Sequence, residues 1–223
     1  MSETDALEAI LDRRYSCRGF LSDPVPQHDI ERIVRIAGKT ASWCNAQPWQ
    51  VTVTQGDATD AFRDGLKSAV QTTDSKPDFT WPGDYPGVYR ERRRTCGYQL
   101  YEAVGVARDD RAGRAAQSFR NFEFFDAPHV AIVHSEAALG PYGALDCGGF
   151  VSAFMIAATS VGVATIAQAS VAAYPDFIRT HFGLDKSRAV LCAISFGYED
   201  PDHPANGFRT ERATLDEVLD LRS

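Results

Sequence analysis

The feature that most constrains the fold is a long uncharged stretch in the second half of the chain. Residues 147–175 contain no Asp, Glu, Lys or Arg. A segment that is apolar all round must be buried on every side. A membrane span needs about 20 mostly apolar residues, but Gly162 and polar residues such as Thr159 and Gln168 interrupt this stretch. It therefore predicts a buried helix followed by a buried strand, and no membrane span.

The buried helix is predicted to begin at Asp146 and to run through Phe150, Phe154 and Val161. In a chain of 223 residues, all faces of such a helix are covered most easily if a second copy supplies part of the cover. The length gives a prior of roughly one or two domains. Because no internal repeat or low-complexity tract divides the sequence, we predict a single domain over residues 1–223.

Charge and cysteine spacing exclude several classes of protein. The net charge of −7 argues against a nucleic-acid surface, which needs a basic excess. Five cysteines are scattered without a C-x-x-C pair, and His129 and His134 lack the spacing of a metal site, so no metal is predicted. Residues 1–5 do not begin a signal peptide. Reduced thiols and the missing signal together predict a cytoplasmic protein.

Hydrophobic periodicity predicts the order of the main elements. Apolar residues at helical spacing predict a first helix that runs toward Arg13 and stops near Gly19. Further elements are a helix over 29–39, a helix around Phe62 and Leu66, strands over 49–54, 129–133 and 189–197, and a closing helix or arm over 214–221. The loop over 41–48 joins a helix to a strand, and binding residues concentrate in loops of this kind.

Residues 71–125 form a predicted excursion of loop and helical pieces. Three prolines and four aromatic residues fall within residues 77–89. A long loop in a compact domain is often an active-site cover, although a plain surface excursion fits equally well. The arginines at positions 90 and 92–94 are interpreted as a solvated helix face rather than a phosphate site.

Basic clusters lie near both ends of the chain. Arg14, Ser16 and Arg18 form one cluster, and Arg209 and Arg212 form the other. Guanidinium groups bind phosphate oxygens in pairs, so the two clusters can converge on a phosphate. Two alternatives stay open: a position at a helix C-terminus, which attracts cations, explains the first cluster equally well, and plain solvation explains the second.

Three motifs in order carry a family resemblance: R-Y-S-C-R-G-F near the start, N-A-Q-P-W before the first strand, and N-G-F-R-T-E-R near the end. Together they resemble the FMN-dependent nitroreductase family over nearly the whole chain. Residues 124–129 and 167–170 are most similar to its nitrobenzoate and nitroaromatic reductase branch. The resemblance implies an α+β fold with a central, mostly antiparallel sheet flanked by helices, in an intertwined homodimer that binds FMN.

The resemblance also implies which residues bind the cofactor. Arg14, Tyr15, Ser16, Arg209 and Arg212 match the phosphate-binding positions and their neighbours, and Arg18 matches the basic residue near the N1 and C2 carbonyl edge of the ring. Backbone amides of Gln168 and Ala169 match those near N5 and O4. The remaining positions match residues that the family supplies from the other subunit: Ala41, Ser42, Trp43, Asn45 and Gln47. Trp43 departs from the family, which usually has a small residue there, and core packing is an alternative role for it.

The activity that the resemblance implies is reduction of nitroaromatic or quinone-like compounds with electrons from NAD(P)H. No G-x-G-x-x-G follows a strand, so NAD(P)H and a flat, electron-poor aromatic substrate are expected to use one cleft in turn, with ping-pong kinetics. The flavin N5 carries the hydride, so no catalytic side chain is required. Alternatives are a reductive dehalogenase, a flavin-fragmenting enzyme, or a non-catalytic flavin-binding protein. The sequence leaves the choice between NADH and NADPH open.

Overall fold

A four-stranded sheet forms the centre of the computed structural model, which describes residues 2–222. Its strands lie in the order β1-β2-β4-β3, and every neighbouring pair is antiparallel. The strands are β1 (Gln50–Thr54), β2 (His129–Glu136), β3 (Ala164–Gln168) and β4 (Arg188–Gly197). The predicted α+β class with an antiparallel sheet is confirmed.

Helices cover both faces of this sheet and form the excursion between β1 and β2. They are α1 (Glu3–Arg13), α2 (Gln27–Ala37), α3 (Asp57–Thr72), α4 (Val88–Ala103), α5 (Arg111–Phe119), α6 (Gly140–Ser160), α7 (Pro175–Phe182) and α8 (Leu215–Val218). No side chain of α4 is buried. In α4, Arg90 pairs with Asp84 and Arg92 with Glu217, as expected for a solvated helix face.

Alternate residues of β2 build two separate cores, one on each face of the sheet. Val130 and Ile132 join a cluster with Phe62 of α3, whereas Ala131 and Val133 join a cluster with residues of α2 and α6. This follows from the two-residue period of a strand, which points successive side chains to opposite faces. Because helices cover both faces, β2 is buried from His129 to Ser135, and the strand extends beyond the predicted 129–133.

Helix α6 begins at Gly140, so the predicted start at Asp146 is wrong. Glycine and proline usually indicate a turn, but proline fits the first turn of a helix, where its missing N–H has no intrahelical partner. One side of α6 is buried through Phe150 and Phe154. The other side exposes Tyr142 and Leu145 by 58% and 69%. The helix is therefore apolar all round but only half covered within one chain.

Length and composition alone would allow the segment Ala137–Ser160 to cross a membrane, with 33% of its most apolar window buried. The same test is passed by core helices of proteins that never enter a bilayer. Here α6 packs against α2 and the sheet through its buried side. The absence of a membrane span stays a prediction.

Buried histidines connect β2 to its neighbours. The backbone N–H of Val25 donates to His129 Nε2 at 2.9 Å, which leaves Nδ1 to donate to Thr54 O at 3.1 Å. Burial lowers the pKa of His129 and lowers that of His134 to about 4, with a smaller contribution from the charge of Arg188. Both rings are therefore neutral near pH 7, and their tautomers are set by their partners.

Candidate cofactor site

The first arginine cluster lies in an extended segment rather than at the end of a long helix. Helix α1 ends at Arg13, so the predicted end near Gly19 is wrong. The backbone N–H of Cys17 donates to Thr165 O of β3 at 3.1 Å, and the far end of the segment pairs with residues 198–200. These backbone hydrogen bonds to β3 and to residues 198–200 replace the helical ones, so the segment lies between β3 and the residues that follow β4.

Asn206 joins the first and last motifs of the chain. Its Oδ1 accepts from the backbone N–H of Arg18 at 2.8 Å, and its Nδ2 donates to the carbonyl oxygens of Gly19 and Asp200 at 2.9 Å each. A Cβ on Gly19 would lie 2.2 Å from His203 Cγ, so the close approach requires glycine. Asn206 belongs to the N-G-F-R motif, but nothing in the sequence indicated this linking role.

Tyr15 provides a platform for an arginine of the second cluster. The Arg209 Cζ lies 3.6 Å from the centre of the Tyr15 ring, and the Tyr15 hydroxyl donates to Glu199. Burial, followed by the hydrogen bond to Glu199, raises the pKa of Tyr15. Arg209 Nη1 also donates to Asn206 O at 2.7 Å. The Tyr15 hydroxyl is thus already engaged, and its ring orients Arg209.

Arg14 lines a pocket of about 350 Å³ together with Arg209, Tyr15, the end of α6 and the Gly162 turn. Burial, followed by the nearby charge of Arg212, lowers the pKa of Arg14. Arg18 is half-buried, its burial lowers its pKa, and its Nη1 donates to Ser16 O at 3.1 Å. The predicted convergence of the two clusters is therefore present in the geometry.

These four guanidinium groups have no acidic partner. Within residues 2–222, no carboxylate oxygen lies within 4.0 Å of a side-chain nitrogen of Arg14, Arg18, Arg209 or Arg212. Arginine does not lose its proton in proteins, so the positive charge remains, and at Arg14 and Arg18 it is partly desolvated, whereas Arg209 and Arg212 are exposed. A phosphate group would neutralise it and accept the free N–H groups. The residues present therefore fit the phosphate of FMN.

The end of β3 offers backbone rather than side-chain groups. The Gln168 side chain is buried: its Oε1 accepts from Ser195 Oγ, and its Nε2 donates to Asn121 O at 2.8 Å. Ala169 is exposed, and its N–H donates to no acceptor in the part of the chain that the structure describes. Gln168 thus anchors the strand end, and the amide of Ala169 is left available.

The loop over 41–48 packs on the N-terminal half of α6. The backbone N–H of Trp43 donates to the Asp146 carboxylate at 3.1 Å and 3.3 Å, and the indole meets the Tyr142 ring edge-on at 4.5 Å between centroids. Trp43 is nevertheless 61% exposed. The alternative that Trp43 is a core residue is therefore wrong. Neither Tyr142 nor Asp146 carried a sequence signal for this contact.

The same loop has an unusual backbone. Cys44, Asn45 and Gln47 have φ values of 52°, 55° and 46°, in the left-handed region that costs a non-glycine residue free energy. The loop is closed by a hydrogen bond from Gln47 N–H to Ser42 Oγ at 2.9 Å. Ala41, Asn45 and Gln47 are exposed. These side chains make few contacts within their own chain, so they are free to contact another molecule.

The candidate residues form two groups at opposite ends of α6. Trp43 contacts α6 at Asp146, whereas Arg14 shares its pocket with Thr159 and Ser160. At 1.5 Å per residue, these points lie about 20 Å apart along the helix. The structure therefore brings together Arg14, Arg18 and the second cluster, but it does not bring the loop over 41–48 to them within one chain. A larger cavity of about 570 Å³ lies elsewhere, between α3 and α7.

Residues 11–198 match the model of the nitroreductase family. The chain belongs to the nitroreductase family. The predicted resemblance is thereby confirmed. Among curated relatives in this family, nitroreductase NfnB of Mycolicibacterium smegmatis (strain ATCC 700084 / mc(2)155) is 34% identical over 96% of this chain and 91% of that protein. The 4-nitrobenzoate reductase of Pseudomonas putida is 34% identical over 94% of this chain and 92% of that protein.

A solved nitroreductase has nearly the same fold. The crystal structure of the FMN-dependent nitroreductase NfnB from Mycobacterium smegmatis in complex with NADPH superposes with a TM-score of 0.95. Its sequence is 33% identical, and the match covers 100% of both chains. The predicted nitroreductase-like fold is confirmed along the whole length of this family member.

Proposed function

We propose that this nitroreductase-family chain binds FMN noncovalently and uses it to reduce nitroaromatic or quinone-like compounds with electrons from NAD(P)H. One observation carries the proposal: guanidinium groups from both ends of the chain gather beside β3 without a carboxylate partner. The NfnB and 4-nitrobenzoate reductase relatives support it. When bound, FMN would supply the redox chemistry, which is transfer of electrons from NAD(P)H to an acceptor in a ping-pong sequence.

The residues of this chain bind and orient the cofactor. Arg14 and Arg212, with Ser16, hold the phosphate, and Arg209 assists from its platform on Tyr15. Arg18 would hold the ring, and a fixed cation there would favour the form of the ring that carries extra negative charge. The free amide of Ala169 would be the backbone donor to the ring, at a position fixed by the buried Gln168 side chain.

The working unit is a homodimer with the site at the interface. Within one chain, about 20 Å of α6 separates the arginine clusters from Trp43. A second copy whose α6 runs antiparallel beside the first brings its own loop to the arginine clusters and covers the exposed Tyr142 and Leu145. The loop residues that enter the site from the partner are then Ala41, Ser42, Trp43, Asn45 and Gln47. A second copy, rather than lipid, then covers the exposed side of α6, as fits a cytoplasmic protein without a membrane span. We propose no surface for nucleic acid.

The absorption spectrum of the purified protein and the retention of its flavin test the phosphate assignment. Arg14→Ala and Arg212→Ala should each weaken FMN binding by about 1.5 to 3 kcal/mol, the range for hydrogen bonds to charged groups. Arg35→Ala, which removes an exposed arginine of α2, is the matched control and should retain FMN. If both site variants keep FMN as tightly as the parent through extensive dialysis, the phosphate assignment is wrong.

The mass in solution tests the dimer. An obligate homodimer should bury more than roughly 2,000 Å² and remain associated at low concentration. Sedimentation should therefore give twice the chain mass of 24.5 kDa, with two flavins for each dimer. A particle with the mass of one chain that still holds FMN would contradict the interface site.

Bleaching of bound flavin by NAD(P)H, followed by reoxidation with a nitroarene, separates the enzyme from a non-catalytic flavin-binding protein.

A further inference from the structure

The excursion between α3 and β2 carries a concentrated positive charge on an acidic protein. Residues 88–114 hold seven arginines and four carboxylates, whereas the whole chain has a net charge of −7. Local positive charge of this kind attracts anionic ligands and raises their rate of association. The arginines are Arg90, Arg92, Arg93, Arg94, Arg108, Arg111 and Arg114.

Two of these arginines lie at the ring of Tyr98, and the charge of a third, Arg114, acts on it from farther away. Arg108 Cζ lies 4.7 Å from the ring centre and Arg94 Cζ lies 5.8 Å from it. Arg94 Nη2 also donates to the Tyr98 hydroxyl at 3.4 Å. That hydrogen bond and the charge of Arg94, followed by the charges of Arg108 and Arg114, lower the pKa of Tyr98. We call Arg94, Arg108 and Arg114 the Tyr98 cluster.

The Tyr98 cluster is not neutralised by the protein. In residues 2–222, none of its guanidinium nitrogens lies within 4.0 Å of a carboxylate oxygen, in contrast to Arg90 and Arg92 of the same excursion. Each guanidinium has five N–H donors, and the contacts to Tyr98 and to the backbone use only a few of them. A doubly charged phosphate monoester is the ligand that such a set of forked donors binds best.

A pocket beside the cluster has room for part of a nucleotide. It measures about 280 Å³, and Tyr98, Tyr101, Val106 and Arg108 line it. Two aromatic rings suit a flat base, and an arginine at the rim suits a phosphate. Glu102 also lines this pocket, where its carboxylate can accept from an amino group of the base.

Helix α4 lies between the Tyr98 cluster and the candidate cofactor site. The opposite side of α4 lines a pocket of about 170 Å³ with Thr210 and Glu211, and the side chain of Cys96 lies near Arg18. Cys96 and Tyr98 are two residues apart and so lie on opposite sides of α4, which separates the cluster from Cys96 by about one helix diameter, roughly 10 to 12 Å, with Arg18 beyond it. A dinucleotide with its nicotinamide on the flavin extends its adenosine half well beyond the ring, so it can reach across α4.

We propose that Arg94, Arg108 and Arg114 bind the 2′-phosphate of NADPH and so make NADPH, rather than NADH, the preferred electron donor. This inference rests on the proposed function, because it assigns the donor used at that site. It adds a specificity determinant outside the residues that hold FMN. The ribose of NADH has a neutral hydroxyl where NADPH has the phosphate, so NADH gains little from the cluster.

Anaerobic bleaching of the bound FMN tests the inference, with NADPH and NADH each titrated in turn. The parent enzyme should have the lower apparent Kd for NADPH. Arg108→Ala and Arg94→Ala should each raise the Kd for NADPH about tenfold or more, as expected for loss of a hydrogen bond to a charged group, and leave that for NADH within about twofold. Arg111→Ala removes the same charge from the same excursion without touching Tyr98, and its ratio of the two Kd values should match the parent.

A second measurement does not depend on turnover. In calorimetry, 2′,5′-ADP should bind the FMN-loaded parent more tightly than 5′-AMP, and Arg108→Ala should remove the difference. An unchanged NADPH to NADH ratio in both cluster variants, or equal binding of the two adenosine fragments by the parent, would overturn the inference. If neither nicotinamide bleaches the flavin, the proposed function fails, while the fragment titration still decides whether the cluster recognises a 2′-phosphate.

Discussion

The backbone N–H of Trp43 donates to the carboxylate of Asp146, at 3.1 Å from Oδ2. This contact fixes the backbone of the 41–48 loop on α6 and leaves the indole 61% exposed. Tyr142, one turn earlier on α6, supports one edge of the indole. A large aromatic side chain on a fixed backbone, with a free face, is suited to stack on a flat ligand that a neighbouring subunit holds.

Trp43→Ala should raise the Michaelis constant for nitroarenes by up to roughly tenfold, because the stacking surface for the substrate is lost. Its cost in stability should be below about 1 kcal/mol, since the indole is mostly exposed in the chain. FMN content should stay nearly unchanged. Steady-state kinetics, flavin occupancy and melting temperature on this variant and on Trp43→Phe, which keeps an aromatic face, check the prediction. Unaltered nitroarene kinetics in Trp43→Ala would rule out a role in substrate selection.

Asn206→Ala should destabilise the protein and weaken its hold on FMN together. The change leaves the backbone N–H of Arg18 without its acceptor, whereas the carbonyl oxygen of Gly19 keeps the N–H of Asp200 and the thiol of Cys17 as donors. A donor left unpaired away from water costs about 1 to 3 kcal/mol, so the free energy of unfolding should fall by about that amount. Urea unfolding of the FMN-free protein gives this value, and dialysis gives the flavin loss. Asn206→Asp keeps the acceptor for Arg18 but would set a carboxylate oxygen against the carbonyl oxygens of Gly19 and Asp200, so it should not restore the parent stability.

Gly19→Ala should be destabilising because of a collision with one residue. The added Cβ would lie 2.2 Å from His203 Cγ, and relief of such an overlap typically costs about 1 to 3 kcal/mol. The His203 Cβ would itself lie 2.5 Å from the added Cβ, so His203→Gly rather than His203→Ala is needed to remove the obstacle, and the double variant with it should recover most of that loss. A double-mutant cycle measures the coupling. If Gly19→Ala costs as much in the His203→Gly background as in the parent, another contact explains the requirement for glycine.

Local sequence patterns predicted two kinds of element. One is the helix, whose backbone hydrogen bonds form within one segment, and the other is the strand in which successive side chains point to opposite faces. The strand around Val130 and the helix around Phe62 are of these kinds. Prediction failed where a distant segment decides the local structure. Helix α1 ends at Arg13 because Cys17 pairs with Thr165 of β3, a contact that no local pattern encodes. The motifs predicted both arginine clusters, whereas the link through Asn206 needed the three-dimensional structure.

The contacts of Trp43 show the same limit at the site. The family motif placed the loop residue in the sequence, but whether its indole lies in a core or faces outward depends on Asp146 and Tyr142. Those two residues lie about a hundred positions away, in a segment that was predicted to be helical only from Asp146 onward. The pairing of a loop with the first turns of α6 is thus a tertiary property, and only the start of that helix at Gly140 makes it possible.

The neutral histidine at the edge of β2 predicts how stability depends on pH. Arg188 Nε donates to His134 Nδ1 at 3.1 Å, and because arginine keeps its proton, Nδ1 must be the acceptor. Nε2 then carries the hydrogen and faces Thr52 Oγ1 at 3.4 Å. Protonation of Nδ1 would place a second positive charge against the guanidinium in a buried site. The folded state therefore resists protonation of this ring.

Burial, with a smaller contribution from Arg188, lowers the pKa of His134 to about 4 in the folded protein, against about 6.5 in an unfolded chain. As the pH falls below about 6.5, the unfolded chain binds the proton first, so the free energy of unfolding declines until the pH reaches about 4. This difference corresponds to about 3 kcal/mol across that window, and the lowered pKa of His129 acts in the same direction. Urea unfolding of the parent between pH 7.5 and pH 4, compared with His134→Gln, measures the share of His134. The variant should be less stable at neutral pH but should lose less of its stability on acidification. If the free energy of unfolding falls equally steeply with pH in the two proteins, His134 does not titrate on unfolding.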